Sequence, residues 1–197
     1  MFDLGGVVLD LDFDRVFGRW ATLAGCSAEE IADRFSQDVA YCRHERGEID
    51  ATAYFASLRE SLGIDLTDEQ FLEGWNNLYP GPCQGIEALL ARAARSLPLF
   101  AFTNSNPSHQ SVWSTVIEQE LLHFRRVFVS SEIGARKPEP QAFRIVADAA
   151  GYPPDRMLLF DDSAVNVEGA RRTGMQAVQV RSIQDVRDAL AELGGTG

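Results

Sequence analysis

Two apolar residues run straight into an aspartate at the start of this chain, and a glycine pair follows almost at once: Met1-Phe2-Asp3-Leu4-Gly5-Gly6-Val7-Val8-Leu9-Asp10. A short apolar run ending in Asp and Gly-Gly reads as a buried strand that stops at a tight turn. In a parallel α/β sheet, ligands bind beyond the carboxyl ends of the strands. An Asp in this position stands at the mouth of a site, beside backbone that glycine leaves open to close approach. The same residues also fit a plain turn whose Asp caps the strand end. A central strand usually has about five or six residues, yet only two precede Asp3. Either the strand is unusually short or the natural start lies upstream of Met1, and the residues fit both.

From Phe13 to about Trp75 the pattern is helical, without a convincing strand. Val16, Trp20 and Leu23 recur at helical spacing, and Tyr54, Phe55, Leu58 and Leu62 fall on one helical face. Ser27 with Glu30, and Thr67 with Gln70, match the capping box, in which a hydroxyl and an acid or amide three residues on satisfy free amides. From Gln84 the rhythm becomes helix, strand, helix, strand. Strands are expected at Leu97 to Phe102, Val127 to Val129, Met157 to Phe160 and Gln176 to Val180. Helices are expected from near Pro107, Pro140 and Ser163 and after Ser182, with the prolines in the first turn, where no amide hydrogen is needed. Alternation of this length implies a doubly wound parallel sheet with helices on both faces. The expected division is an α/β core of residues 1–12 and 84–197 with an inserted all-helical subdomain of residues 13–83. The tail from Gly194 to Gly197 is expected to fray.

The net charge of −11 opposes a general phosphate-backbone binder and an anionic membrane surface. It leaves room for a small phosphorylated substrate, because one local Lys and a metal overcome the global field. Cys26, Cys42 and Cys83 have no metal-ligand spacing, and their odd number suits reduced packing thiols in a cytoplasmic protein. No stretch reaches transmembrane length. A monomer or weak homodimer is expected.

Each later strand ends in polar residues of a particular kind. Phe102 runs into Thr103-Asn104-Ser105-Asn106, Val129 leads through Ser130-Ser131 to Arg136-Lys137-Pro138, and Phe160 gives Asp161-Asp162-Ser163. Singly, these have plain readings: a strand-end hydroxyl, a solvated lysine, a helix N-terminus with its capping group. In a parallel sheet they meet Asp3 at one edge. A hydroxyl, a lysine and several carboxylates around a glycine turn are what a phosphate with a divalent cation requires.

In this order and spacing, the four stretches resemble the four motifs of the haloacid dehalogenase-like phosphohydrolase superfamily, over nearly the whole chain. Asp-Leu-Gly-Gly-Val at residues 3–7, His44-Glu45-Arg46-Gly47-Glu48-Ile49, and Phe160-Asp161-Asp162 with Asn166-Val167-Glu168-Gly169 resemble its bacterial α-D-glucose-1-phosphate phosphatase branch. The resemblance implies a Rossmann-like core, a helical cap, Mg²⁺ and a phosphomonoesterase working through an aspartyl-phosphate. Asp3 matches the nucleophile and a metal ligand, and the Gly5 carbonyl matches the main-chain ligand. Thr103, the Asn104 amide, Gly6 and Lys137 match the phosphate-binding positions, Thr103 and Lys137 with catalytic roles. Asp162 matches the principal Mg²⁺ carboxylate, with Asp161 beside it and Asn166 positioning the loop. The implied substrate is a small phosphorylated metabolite, such as the sugar phosphate glucose 1-phosphate.

One departure matters. In most phosphatases of this superfamily a second Asp, the general acid and base, stands two residues after the nucleophile, and here that residue is Gly5. A good leaving group such as an anomeric phosphate, or an acid from the cap, is expected to compensate, with His44 and Glu45 as candidates beside their reading as surface residues. Trp20, Trp75 and Trp113 are expected to pack, with contact to substrate as the alternative for Trp75, and His109 is expected on a helix surface, with a position facing the site as its alternative. Arg43 and Arg46 fit either an anionic substrate tail or local acids. Two other functions compete. A 2-haloacid dehalogenase uses an Asp nucleophile without metal, but its relatives carry Ser-Asn-like residues where Asp161-Asp162 stand. A non-catalytic binding protein on the same fold draws support from Gly5 and from the short first strand.

Overall fold

A computed structural model describes residues 1–194 of the 197 in the chain. Five helices come first: α1 (Phe13–Ala24), α2 (Ala28–Arg34), α3 (Val39–Glu45), α4 (Ala51–Leu62) and α5 (Asp68–Trp75). Both capping boxes form, at Ser27 with Glu30 and at Thr67 with Gln70, so these helix starts follow from local chemistry. The five helices enclose their own apolar cluster, in which Trp20, Tyr54, Phe55, Phe71 and Trp75 are almost wholly buried.

The second part alternates as its periodicity requires. It runs α6 (Ile86–Ala93), β1 (Phe100–Thr103), α7 (Pro107–Val116), α8 (Glu118–Leu121), β2 (Arg126–Val129) and α9 (Ser130–Ile133). It continues with α10 (Pro140–Ala150), β3 (Leu158–Asp161), α11 (Ala164–Arg172), β4 (Gln176–Gln179) and α12 (Ile183–Gly194). Pro107 and Pro140 occupy the first positions of their helices. The strand expected from Leu97 begins later, at Phe100, because Pro98 has no N–H to give a ladder. The expectation for the tail falls mostly on residues 195–197, which lie outside the described ones.

The amino terminus is the middle of the sheet. Phe2 bridges to Ala101 on one side and Phe160 on the other, both parallel. The order is therefore β2, β1, residues 1–3, β3, β4, with every neighbour parallel. Side chains alternate across the sheet. Phe2, Ala101 and Phe160 face a cluster with Ile86, Leu90, Trp113 and Val186, whereas Met1, Phe102 and Leu159 face Phe143, Val146 and Ala170. Helices α6, α7 and α12 thus cover one face and α10 and α11 the other, a doubly wound α/β fold.

The chain leaves the central strand through a tight turn, in which the Leu4 carbonyl accepts from the N–H groups of Val7, Val8 and Leu9. Residues 8–10 then run beside the returning residues 81–83, through Cys83 N–H to Val8 O and Asp10 N–H to Gly81 O, each 2.9 Å. These two strands of chain join the helical segment to the sheet and hang it over the carboxyl edge.

Candidate active site

Three parallel strands end side by side at Asp3, Thr103 and Asp161, and the residues after β2 bring Lys137 to the same edge. Lys137 is fully buried, with Nζ 2.8 Å from Asp3 Oδ2 and 2.7 Å from Asp161 Oδ2. Asp3 Oδ1 accepts from the Leu4 N–H at 2.7 Å, which orients the carboxylate. Asp161 Oδ1 accepts from Ser163 N–H and from Asn166 Nδ2, each at 3.0 Å, so both of its oxygens are engaged. Asp162 is exposed, and one oxygen each of Asp3, Asp161 and Asp162 lie within 4.8 Å of one another. Three carboxylates thus meet one ammonium, and two negative charges are left unbalanced.

The protonation of the cluster follows from this. Burial pushes Asp3 well above the usual carboxylate range, Lys137 pulls against it, and Asp161 and Asp162 add to the push. Burial alone would lower the Lys137 ammonium, but Asp161 and Asp3 outweigh it and hold it above the ordinary lysine value. Both directions describe a dry site with more negative than positive charge.

Asn104 holds the lysine segment rather than only offering an amide. Its Nδ2 donates to Lys137 O and its Oδ1 accepts from Lys137 N–H, both at 2.9 Å. The following Lys137–Pro138 peptide is cis. Above these groups lies a cavity of about 450 Å³, into which Asp3, Gly5, Thr103, Asn104, Lys137 and Asp162 all open. The helical segment closes the other side with Phe13, Gln37, Tyr41, Glu45 and Tyr79.

Of the two candidates on α3, Glu45 lines the cavity and His44 does not. The His44 ring stacks on Tyr54 with centroids 4.9 Å apart and places Nδ1 3.1 Å from Ile49 O. Glu45 is buried, accepting from Arg136 Nε at 2.7 Å and bonding the Tyr41 hydroxyl. Burial raises its carboxyl above the usual value, while Arg136 draws it back.

Gly6 departs from its expected part in phosphate binding. It lies outside the cavity lining, and its N–H already donates to Leu9 O at 2.9 Å. Its φ of 72° and the 2.5 Å that would separate an added Cβ from Asp162 Oδ2 give it a different task. The turn passes flush against the Asp162 carboxylate, and only a glycine fits there.

Tyr41, Tyr79 and Arg136 are polar lining residues that sequence reasoning did not place at the site, and His109 lines it too. His109 is buried, not on a helix surface, and packs against Trp75 and Tyr79 with centroids 4.6 and 5.2 Å away. Its Nδ1 has no hydrogen-bond partner among the described residues, and burial takes its pKa down to about 3. A signal existed, because His109, Trp113 and Ile117 recur every four residues along α7 and its C-terminal cap. Tyr41 and Arg136 carried no such signal, since each reaches the cavity through contacts between the two parts of the chain. The tryptophans pack as expected: Trp20 stacks on Trp75 at 5.6 Å, and Trp113 donates to Ser105 Oγ at 3.0 Å. Arg43 pairs with Glu48, and Arg46 with Glu48 and Glu139, which accounts for both arginines through acids of the protein itself.

The chain is similar to known proteins over nearly its whole length. The family described as haloacid dehalogenase-like hydrolase matches residues 1–174. D-ribitol-5-phosphate phosphatase of Bacteroides thetaiotaomicron is 23% identical over 197 residues, covering 96% of this chain and 95% of that protein. A phosphatase of Mycobacterium tuberculosis is 28% identical, covering 96% and 90%. Among solved structures, a haloacid dehalogenase family enzyme of Bacteroides thetaiotaomicron, in complex with magnesium and inorganic phosphate, superposes with a TM-score of 0.77. It is 24% identical and covers 92% of this chain and 93% of its own.

Proposed function

The chain belongs to the haloacid dehalogenase-like hydrolase family, and from that premise we propose that it is a Mg²⁺-dependent phosphomonoesterase acting through an aspartyl-phosphate. The observation that carries the reading is the buried Asp3–Lys137–Asp161 chain of charges, with Asp162 within 4.8 Å, at the floor of a 450 Å³ cavity. The donor set suits a hard dication, because the carboxylates of Asp3 and Asp162 and the nearby Gly5 carbonyl are all oxygen ligands. The flush approach of Gly6 to Asp162 brings that carbonyl's turn and the carboxylate together. Bound there, Mg²⁺ supplies the two missing positive charges, favours ionised Asp3 and polarises the phosphoryl group.

The residues then have distinct tasks. The Asp3 carboxylate attacks phosphorus and the bond to the leaving oxygen breaks, giving the acyl phosphate and a leaving oxygen that takes its proton from water to become the alcohol. Lys137, held by Asp161 and by the Asn104 side chain, offsets charge on the phosphoryl oxygens, and the Thr103 hydroxyl donates to one of them. Water attacks the acyl phosphate in the second step, releasing phosphate and restoring Asp3. The adjacent carboxylates Asp161 and Asp162 argue against the metal-independent dehalogenase alternative.

The substrate we infer is a small sugar or polyol phosphate, with glucose 1-phosphate as the specific candidate. Its anomeric oxygen is a good leaving group, which suits a site with glycine in place of the usual acid. Tyr41, Tyr79 and neutral His109 offer hydroxyl and imidazole partners, and Arg136 is already neutralised by Glu45. The likeness to a ribitol phosphate phosphatase supports the same class.

The test is hydrolysis of p-nitrophenyl phosphate and of a panel of phosphate esters with Mg²⁺. Turnover is expected, abolished by EDTA and by Asp3→Asn, with sugar and polyol phosphates preferred. No hydrolysis across the panel overturns the reading, and halide release from a 2-haloacid by metal-free protein replaces it.

A further inference from the structure

The end of α3 meets the core at the two loops that carry Thr103 and Lys137. Ser130, wholly buried at the end of β2, places its hydroxyl 2.6 Å from the Glu45 carbonyl and accepts from the Ser105 N–H at 2.9 Å. Glu45 Oε2 accepts from Arg136 Nε at 2.7 Å, and the next residue, Arg46, donates from Nη1 to Glu139 Oε1 at 2.8 Å. The other Glu139 oxygen accepts from the Arg136 N–H at 3.3 Å. Two consecutive residues of opposite charge therefore grip residues on either side of Lys137–Pro138, in the order Glu45–Arg136 and Arg46–Glu139. Gly47 completes the seat. Its φ is 70°, and an added Cβ would stand 2.6 Å from the Ser131 carbonyl, so α3 ends with its backbone laid directly on the core.

We propose that the turn Glu45–Arg46–Gly47 is a positioning element for Lys137. The inference rests on the role given to Lys137 above. Within the Lys137 loop, the Asn104 clamp holds the lysine backbone from the core side, and the two ion pairs hold its flanks from the helical side. Neither Arg46 nor Glu139 lines the cavity, so each reaches the reacting atoms only through the loop it holds. A displacement of ~1 Å at a reacting centre can cost ~10²-fold in rate, and a loop freed on one side falls short of that.

The experiment is a charge reversal made singly and together, Arg46→Glu, Glu139→Arg and the double variant. It is read by kcat and KM on p-nitrophenyl phosphate and by hydrogen exchange of the peptide spanning 134–139. Each single reversal is expected to lower kcat about tenfold, to leave KM within about twofold, and to speed exchange in that peptide. The double variant is expected to regain most of kcat and most of the protection. Single variants that match the wild type in both readouts overturn the proposal, as does a double variant no better than the singles in either. If the wild type hydrolyses no ester, the functional reading falls, and recovery of exchange protection in the double variant alone decides whether the seat holds the loop.

Discussion

Gly5 and Gly6 are neighbours in the turn after Asp3, yet a side chain at each would meet opposite surroundings. At Gly5 an added Cβ would come 2.8 Å from Leu11 Cδ1, the end of a flexible and 40% exposed side chain that can swing aside. At Gly6 it would meet Asp162 Oδ2 in a backbone conformation that L-residues resist. Gly5→Asp is therefore expected to fold with little loss of stability and to supply the acid absent from this site. On a poor leaving group such as an alkyl phosphate, kcat should rise at least about tenfold, below the ~10²–10⁴-fold of a fully positioned acid. On p-nitrophenyl phosphate, whose leaving group needs no proton, kcat should stay nearly constant. Gly6→Ala is expected to displace Asp162 and raise the Mg²⁺ concentration needed for half-maximal rate. His109 makes the third residue-scale prediction. Its imidazole is neutral in the fold down to about pH 3, whereas the unfolded chain takes up a proton near the ordinary value of 6.5. The unfolded state therefore binds more protons below pH 6.5, and stability falls with pH across the window from 6.5 to 3. At pH 5 the loss amounts to about 2 kcal/mol. Denaturant unfolding of His109→Gln at pH 7 and pH 5 should show a difference smaller by about that amount than in the wild type. The sequence named the charged groups at the strand ends because each follows an apolar run. It left His109 open between a helix surface and the site, because its burial depends on what α7 packs against.

At the scale of elements, local chemistry determined helix starts more firmly than strand lengths. Capping boxes and first-turn prolines are satisfied within a few residues, so Ser27, Thr67, Pro107 and Pro140 could be read directly. A strand ends where its neighbour ends, and the four paired residues of β1, Phe100 to Thr103, take their register from residues 126–129. The central strand shows this most strongly, for its two bridges come from Ala101 and Phe160, about a hundred residues and more away in the chain. Packing between helices is equally invisible, and Gly74 is an instance. It lies within α5, where alanine would improve helix propensity by about 1 kcal/mol. Its missing side chain, however, is where the Trp20 indole of α1 rests, donating from Nε1 to Phe71 O at 3.0 Å and stacking on Trp75. Overpacking a filled core costs about 1–3 kcal/mol, and Trp20 has no exposed side to move toward. Gly74→Ala is thus expected to lower stability by about 1–2 kcal/mol, despite the better propensity. Chemical denaturation checks it, and a gain in stability would mean that the indole relocates.

For the molecule as a whole, the site is where the fold holds its least compensated charge. The chain carries −11 overall, but most acidic side chains are spread over the surface, where water and salt screen them. Asp3 and Asp161 are buried with Asp162 beside them, and among the described residues Lys137 is the cation that opposes them. Folding brings these strand ends together against their own repulsion, so a ligand that removes the repulsion must stabilise the entire sheet that carries them. With Mg²⁺ at 100 times its dissociation constant, linkage gives about 2.7 kcal/mol. For a chain of this size, that corresponds to a rise of about 5–10 °C in melting temperature. Asp162→Asn separates charge from ligation. The amide oxygen can still accept the backbone bonds at the start of α11, while one of the three mutually repelling charges is gone. The metal-free variant is therefore expected to melt above the metal-free wild type and to gain little from Mg²⁺. Scans of both proteins in EDTA and in Mg²⁺ make the comparison. A variant that keeps the full Mg²⁺ response would remove Asp162 from the ligand set. A metal-free variant less stable than the wild type would instead mean that Asp162 does structural work at the N-terminus of α11 that outweighs the repulsion.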